Sequence, residues 1–422
     1  MNKNKLLDSL PAMEKLYGSS QSIIEKQKAR YKKLIDNFEK TFGESAEALF
    51  SSPGRTEISG NHTDHNNGKV LAASIDLDTI AAVRKTDNWI RIKSEGFDPL
   101  FEVKIDDLKK KSRESGTTTA LIRGIASRFQ QLGYRVGGFE AYFSSQVGVG
   151  SGLSSSASIE VLIGMILSNF YNSSQLDAIQ IAKIGQYAEN KYFGKPCGLM
   201  DQLSIAAGGV LEIDFEKERP FVKETHFDQR KAGLDIVIVD TGGNHADLTE
   251  DYASIPEEMQ SVARQFKQEV CRGLDMSDVL ENIDSLRKQV SDRAILRCIH
   301  FLKENNRVDN LLKAIDQDNY VQFLNIIRQS GNSSFKFLQN CYSAHAPDDQ
   351  GVSLGLAITE HFFDKVDCRG ACRVHGGGFA GTIQTFIDAK FSQEYVNFIE
   401  DIFEKGATTQ IKIRDSGVIQ LA

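Results

Sequence analysis

A glycine- and serine-rich loop, Gly148 to Ala157, constrains the fold of this chain more than any other segment. Its sequence is Gly-Val-Gly-Ser-Gly-Leu-Ser-Ser-Ser-Ala, and it joins a predicted strand at 138–143 to a strongly apolar predicted helix at 157–171. Small residues let backbone N–H groups converge on one anion at the start of such a helix. This succession of strand, loop and helix favours an α/β unit that holds a phosphate.

Two familiar phosphate loops do not fit these residues. No Gly-Lys-Ser/Thr ends the loop, which excludes a Walker A motif, and Leu153 stands where the dinucleotide fingerprint needs its third glycine. The alternative is a flexible connector in which a serine caps the helix. The strand before the loop and the helix after it favour the phosphate interpretation.

A second polar loop, Pro53 to Gly68, leads into a predicted strand. Its sequence, Pro-Gly-Arg-Thr-Glu-Ile-Ser-Gly-Asn-His-Thr-Asp-His-Asn-Asn-Gly, is dense in donors and acceptors and suits a polyhydroxylated ligand. His62, Asp64 and His65 are alternatively metal ligands, but no further His/Cys pair lies at useful spacing. A solvated turn held by Asx hydrogen bonds is the third interpretation, and it fits 66–68 best.

Composition argues against several functional classes. The 422 residues include 50 Lys+Arg and 57 Asp+Glu, a net charge of −7, which argues against a protein that mainly binds a nucleic-acid backbone. No stretch approaches the roughly 18 consecutive apolar residues of a membrane span, and no apolar signal-peptide core follows Met1. The six cysteines show no C-x-x-C spacing, so we expect reduced thiols. We expect a cytoplasmic protein that contacts neither nucleic acid nor membrane.

The order of predicted elements indicates an α+β protein of two domains. An amphipathic helical pattern occupies most of the first 45 residues, and the second half is rich in predicted helices. Short strands bounded by turn residues are predicted at 70–75, 79–83 and 89–93. We expect three segments: a helical extension at 1–45, an N-terminal domain with the phosphate loop at 46–220, and a C-terminal domain at 221–422.

Four motifs in order resemble those of the galactokinases, members of the GHMP family of small-molecule kinases. Residues 53–68 resemble the galactokinase signature, and residues 147–161 resemble the Gly-Leu-Ser-Ser-Ser-Ala nucleotide loop. Residues 196–202, Pro-Cys-Gly-Leu-Met-Asp-Gln, resemble the stretch that holds the catalytic aspartate. Residues 373–381, Arg-Val-His-Gly-Gly-Gly-Phe-Ala-Gly, resemble the C-terminal glycine motif. The resemblance spans the chain from about residue 50 to 385.

The resemblance implies a two-domain GHMP-kinase-like fold, with an N-terminal α/β domain, a ferredoxin-like C-terminal α/β domain and a cleft where ATP and sugar meet. It implies ATP-dependent phosphorylation of the anomeric C1 hydroxyl of galactose or a closely related sugar. By resemblance, Asp201 takes the proton from that hydroxyl and Arg55 stabilises charge near the transferring phosphoryl group. Ser156 and Glu189 would hold Mg²⁺, which together with the helix N-terminus replaces the missing P-loop lysine.

The family's binding residues carry over by position. The resemblance assigns the nucleotide to Gly148, Gly150, Ser151, Gly152, Leu153, Ser154, Ser155, Ser156 and Ala157. It assigns the sugar to Asn61, His62, Asp64, Gly198 and Tyr252. The expected partners are therefore a small-molecule sugar and ATP, bound by a monomer or a weak dimer.

Several residues depart from the family pattern, mostly on the sugar side. Asn61 stands where galactokinases carry a glutamate, His65 replaces a tyrosine, and Asn244 replaces a basic residue. His375 and Ala380 deviate within the glycine motif. Two alternatives therefore stay open: a kinase for a different sugar or sugar derivative, and a non-catalytic sugar and ATP sensor derived from a galactokinase. Retention of the catalytic aspartate and of both Mg²⁺ ligands favours the enzyme.

Overall fold

Two β-sheets organise the chain. The computed structural model describes residues 13–148, 150–243 and 248–421. The strands of the larger sheet are β1 Ala48–Ser59, β2 Lys69–Thr86, β3 Trp89–Ser94, β4 Leu100–Lys104, β5 Gly138–Ser145, β6 Val210–Asp214, β7 Phe221–Thr225 and β12 Ile419–Gln420. Their order is β12-β1-β2-β5-β3-β4, with β6 paired to β2 and β7 paired to β6.

The smaller sheet is antiparallel throughout. Its strands are β8 Leu234–Asp240, β9 Gly370–Val374, β10 Thr382–Asp388 and β11 Thr408–Ile411, in the order β11-β8-β10-β9. β7 and β12 lie beyond residue 220 in sequence but belong to the larger sheet. The division of the chain near residue 220 stays a prediction.

Helices cover both sheets. They are α1 Met13–Tyr17, α2 Gln21–Phe42, α3 Thr118–Gln131, α4 Ser155–Asn172, α5 Ala178–Ala188, α6 Met200–Ala207, α7 Gln229–Ala232, α8 Thr249–Gln265, α9 Met276–Glu281, α10 Ile283–Leu286, α11 Asp292–Asp316, α12 Tyr320–Ser333, α13 Gly351–Val366 and α14 Ser392–Ile402. The α+β class is confirmed, as are the predicted strand and helix on either side of the glycine-rich loop, now β5 and α4. In the described part of the chain, no helix is long and apolar enough to cross a membrane.

The larger sheet is packed on both faces because alternate residues of β2 point in opposite directions. Ala81 and Val83 join the core formed with α3, α4 and α5, whereas Ile80 and Ala82 join the core formed with α1 and α2. The amphipathic helices predicted near the N-terminus are therefore an integral layer of the fold. The part of that prediction that falls on residues 1–12 lies outside the described residues.

One buried cluster connects the two sheets. Ile58 of β1 and Leu153 of the glycine-rich loop pack in the same cluster as Ile236 of β8 and Phe386 of β10. All four side chains are almost fully buried. This cluster therefore holds the loop after β5 against the smaller sheet, where the glycine motif lies.

The strands predicted at 70–75 and 79–83 are one continuous strand, β2. The prediction placed a turn at the polar residues between them, but Asp78 is fully buried within the sheet. Its carboxylate accepts hydrogen bonds from Tyr17 Oη at 2.6 Å and Arg30 Nη1 at 2.5 Å, and Arg414 Nη1 lies 3.2 Å away. Residues from both ends of the chain thus pair with the buried Asp78 carboxylate, which the sequence pattern places in a turn.

We expect Asp78→Ala to destabilise the protein by about 3–5 kcal/mol, because it leaves the guanidinium of the fully buried Arg414 without its carboxylate partner. Chemical denaturation followed by circular dichroism measures this loss. Asp87→Ala, which removes an exposed aspartate just beyond the same strand, is the control and should cost less than about 0.5 kcal/mol. Equal midpoints for the two variants would contradict the proposed anchoring.

Candidate active site

A cavity of about 630 Å³ collects all four sequence motifs. Its walls include residues of the 53–68 segment, the glycine-rich loop, the start of α6, the start of α8 and the 375–382 segment. The prediction of a loop over all of 53–68 is wrong for residues 53–59, which lie in β1. These segments are far apart in the sequence and come from both sheets and their connections. The cavity is therefore the place where the two halves of the chain act together.

An ion pair between Arg55 and Asp201 lies in this cavity. Arg55 projects from β1 and Asp201 from the first turn of α6. Arg55 Nε donates to Asp201 Oδ1 at 2.7 Å and Arg55 Nη2 donates to Asp201 Oδ2 at 2.8 Å, a bidentate geometry that fixes both groups. The Ser154 hydroxyl also donates to Asp201, and Arg55 donates to the Gly152 carbonyl.

These contacts keep Asp201 ionised. Burial alone raises the pKa of this carboxyl, but the Arg55 guanidinium and the Ser154 hydroxyl outweigh that effect and hold its pKa below the usual value. The same contacts tie the carboxylate to the glycine-rich loop. A ligand phosphate held by the loop would therefore lie beside an ionised carboxylate.

The glycine-rich loop approaches its neighbours too closely for side chains. A Cβ on Gly152 would lie 2.5 Å from Thr382 Oγ1 and 2.9 Å from His375 Nδ1, and this residue has a positive φ of 70°. Ser154, with φ of 62°, also adopts the left-handed conformation, and α4 begins directly after it. The loop is thus a tight backbone cradle at a helix N-terminus, as the sequence predicts.

The predicted nucleotide residues do not all face the cavity. Gly148, Gly150, Gly152, Ser154, Ser155 and Ser156 line it. The side chains of Leu153 and Ala157 are buried in hydrophobic clusters, so these two residues have only backbone groups to offer a nucleotide. Ser151 instead donates its hydroxyl to the Gly148 carbonyl at 2.7 Å. Val149 lies outside the described residues.

Ser156 and Glu189 form the oxygen pair predicted for Mg²⁺. Ser156 Oγ lies 3.5 Å from Glu189 Oε1, and Glu189 is 4% exposed. Hydroxyl and carboxylate oxygens are the ligands that Mg²⁺ prefers, and the ion usually keeps waters and substrate phosphates as its other ligands. In the described residues no group of three or more His, Cys, Asp or Glu side chains could hold a metal ion. The pair therefore fits Mg²⁺ that arrives with a nucleotide.

The predicted sugar residues line the same cavity. His62 Nε2 donates to the Gly377 carbonyl at 2.9 Å, and burial lowers the pKa of His62 to about 3, so the ring is neutral. The Tyr252 hydroxyl donates to the Gly378 carbonyl at 3.2 Å. A Cβ on Gly198 would overlap the Asp64 carboxylate. The 60–65 segment and the glycine motif thus form one wall.

Known proteins resemble this chain in sequence. The model of the galactokinase galactose-binding signature matches residues 36–85, and the model of the GHMP kinase N-terminal domain matches residues 120–209. The chain is 28% identical to a galactokinase of Clostridium tetani, over 82% of this chain and 86% of that protein. It is 27% identical to a galactokinase of Bacillus subtilis, over 90% of this chain and 96% of that protein.

The fold comparison agrees. The structure of Lactococcus lactis galactokinase in complex with galactose superposes with a TM-score of 0.79 and 23% identity, over 91% of this chain and 98% of that one. The chain therefore resembles galactokinases and the GHMP kinase N-terminal domain in sequence, and a galactokinase in fold. The fold expected from the motifs is confirmed.

Three further candidate functional residues near the cavity were assigned no role from the sequence. Glu160 is buried on α4, one turn after Ser156, and Gln202 Nε2 bridges it at 3.0 Å to Glu189 at 2.9 Å. Burial and the nearby Glu189 raise the pKa of Glu160 well above its ordinary value. The i, i+4 spacing from Ser156 is the sequence signal that places Glu160 on this side of the helix.

The other two candidates come from the motifs themselves. Glu57 follows Arg55 by two residues on β1, so the two side chains share a face of the strand. His375 is buried, with Nε2 at 3.0 Å from Thr56 Oγ1, and it lines the cavity beside Arg55. Burial and the positive charge of Arg55 lower the pKa of His375 well below its ordinary value. The glycine motif thus places a neutral imidazole beside the ion pair.

We expect Gly198→Ala to raise the KM for sugar by about tenfold or more, because the new methyl group must displace the Asp64 carboxylate from the cavity wall. The KM for ATP should change less than twofold. Gly273→Ala is the matched control: a Cβ there would meet the flexible side chain of Gln268 at 3.3 Å, away from the cavity. Steady-state kinetics with each substrate varied in turn measure both constants.

Proposed function

We propose that this protein is an ATP-dependent sugar kinase that phosphorylates the C1 hydroxyl of galactose or a closely related sugar. The observation that carries the proposal is the Arg55–Asp201 ion pair, which lies between the glycine-rich loop and the galactokinase signature loop. Both curated relatives are galactokinases, and the Lactococcus lactis enzyme binds galactose. Phosphoryl transfer needs this arrangement, because positioning and charge stabilisation supply most of its catalysis.

The proposed reaction assigns a role to each member of the pair. The C1 oxygen of the sugar forms a bond to the γ-phosphorus of ATP as the bond from that phosphorus to the leaving ADP oxygen breaks. The proton of the C1 hydroxyl moves to an oxygen of Asp201. Arg55 holds Asp201 in place and stabilises the charge on the transferring group.

Mg²⁺ would be held by Ser156 and Glu189, and when bound it neutralises charge on the nucleotide phosphates. The N-terminus of α4 and the backbone of the glycine-rich loop provide the remaining positive potential on this side. Lys195 Nζ lies 3.8 Å from Glu189 Oε1 and lines the same cavity. The chain thus has phosphate-binding groups without a P-loop lysine.

Substitutions on the sugar side support one alternative, a kinase for another sugar or sugar derivative. Asn61 and His65 differ from the expected galactokinase residues, and both line the cavity. The sensor alternative is less well supported, because the Arg55–Asp201 pair and the Ser156–Glu189 pair are both intact. We further propose that the protein acts in the cytoplasm and that it is a monomer or weak dimer. Light scattering after gel filtration would measure its oligomeric state.

A coupled assay of ADP release across a panel of monosaccharides tests the function directly. We expect ATP- and Mg²⁺-dependent turnover with galactose or a related sugar, and a product whose phosphate is on C1 by phosphorus NMR. Absence of turnover with every sugar, combined with measurable binding of sugar and ATP by calorimetry, would instead support the sensor.

Asp201→Asn should lower kcat by about 10²- to 10⁴-fold while the affinities for sugar and ATP change less than tenfold, because it removes the proton acceptor but keeps the shape of the side chain. Asp214→Asn is the matched control, since Asp214 pairs with Arg272 at 2.8 Å outside the cavity. Calorimetry and the ADP assay on the same samples measure these changes. Wild-type turnover in Asp201→Asn would remove this residue from the mechanism.

Glu189→Gln should raise the Mg²⁺ concentration needed for half-maximal activity by about tenfold or more, because a neutral amide oxygen binds the ion more weakly than a carboxylate does. The affinity for sugar in the absence of nucleotide should stay unchanged. Glu102→Gln, which alters an exposed glutamate on β4, is the control. An unchanged Mg²⁺ titration in Glu189→Gln would contradict the assignment.

A further inference from the structure

The amide of Asn61 has no hydrogen-bonding capacity left for a ligand. Its Nδ2 donates to the Gly376 carbonyl at 2.7 Å and to Glu57 Oε1 at 3.0 Å. Its Oδ1 accepts from Asn340 Nδ2 at 2.8 Å and from the Ser334 hydroxyl at 3.4 Å. Both amide hydrogens and both oxygen lone pairs therefore have protein partners. The Asn61 side chain therefore links the 53–68 segment to the glycine motif, and its amide has no free donor or acceptor for a sugar hydroxyl.

Glu57 lies beside Asn61 and keeps acceptor capacity. Its Oε1 accepts from Arg373 Nη2 at 2.7 Å and from Asn61. Within the described residues, Oε2 receives one longer contact, from Asn61 Nδ2 at 3.3 Å. Because β1 is regular between them, Glu57 shares the strand face of Arg55, and both line the cavity. A carboxylate oxygen with free lone pairs is thus present on the sugar side of the ion pair.

We propose that Glu57 supplies the sugar-binding carboxylate that galactokinases carry at the position of Asn61. Glu57 Oε2 accepts a hydrogen bond from a sugar hydroxyl, and Asn61 is a positioning residue that holds this carboxylate with Arg373. The inference rests on the proposed sugar kinase function and names a specificity-determining residue for it. It also changes the expectation for position 61.

Because galactokinases carry a glutamate at the position of Asn61, the family pattern alone predicts that Asn61→Glu would increase kcat/KM for galactose relative to other sugars. The structure indicates the opposite, because the new carboxylate would lie against Glu57, at the place where an amide now donates to it. Two carboxylates at that separation repel one another. Burial already raises the pKa of Glu57, against the opposing effect of Arg373 and Arg55. A second buried acid is therefore tolerated only if the first one is removed.

Three variants test the proposal: Glu57→Gln, Asn61→Glu, and the double variant Glu57→Asn/Asn61→Glu, which has the net charge of the wild type. We expect Glu57→Gln to raise the KM for the preferred sugar by about tenfold, the usual effect of losing a charged hydrogen bond. Asn61→Glu should raise it at least as much. The double variant should return to within about threefold of the wild type, since one carboxylate and one amide again share the site. The KM for ATP should change less than twofold throughout.

A panel of deoxy sugars separates sugar contact from a structural role. If Glu57 binds a hydroxyl, removing that hydroxyl should weaken the wild type about tenfold and weaken Glu57→Gln much less, so that the two losses are not additive. Additive losses for every deoxy sugar would overturn the proposal. A merely structural role for Glu57 would produce that additive result.

Glu140→Gln is the matched control, because Glu140 is also a buried β-strand glutamate paired with arginine, at 2.8 Å from Arg84, but does not line the cavity. It should lower the melting temperature without changing the KM for sugar. If Glu57→Gln folds poorly, the double variant decides, and a double variant that folds without recovering sugar KM overturns the proposal. Failure of the wild type to phosphorylate any sugar would instead overturn the proposed function, and this inference with it.

Discussion

The Arg55–Asp201 ion pair is the interaction on which the rest of the site depends. One guanidinium contacts the carboxylate of α6 and the carbonyl of Gly152, and the backbone N–H of Arg55 also donates to the Leu153 carbonyl at 3.1 Å. A residue of β1 thus connects the glycine-rich loop to α6, and the Ser154 hydroxyl joins the two directly. Because bidentate pairing restricts both rotation and translation, the glycine-rich loop and the Asp201 carboxylate keep one relative position.

Other buried charges also connect segments that are distant in sequence. Glu304 of α11 accepts from the Ser59 hydroxyl at 2.9 Å and the Gly60 N–H at 3.1 Å, and Arg373 of β9 pairs with Glu57 of β1. An unpaired charge in these places would cost several kcal/mol, so each pair makes one arrangement of the segments strongly preferred. The 53–68 segment is thereby held against both α11 and the smaller sheet.

Sequence reasoning succeeds here where the signal is local. The glycine-rich loop, its strand and its helix follow from residues within about 35 positions of one another, and the structure places them as predicted. It fails where a distant partner changes the meaning of a residue. Asp78 is predicted to lie in a turn, but Arg414 pairs with it inside the sheet. The amide of Asn61 likewise has partners in Asn340 and the glycine motif that its neighbours in sequence do not reveal. No local pattern contains those partners.

The balance of charge in the cavity also limits the form in which a nucleotide can enter. Asp201 lines it, and Glu189 lies beside Ser156 of its wall, with Glu160 joined to Glu189 through Gln202. The cations beside these acids are Arg55 and Lys195. Arg55 is paired with Asp201 and Lys195 lies beside Glu189, so neither of these two cations is left over to neutralise the phosphates of a nucleotide. A free triphosphate would bring negative charge that these paired cations do not neutralise, whereas one that carries a divalent cation brings its own neutralisation to the oxygens of Glu189 and Ser156. The absence of a P-loop lysine and the pairing of Arg55 together therefore make the metal–nucleotide complex the species that this cavity accepts.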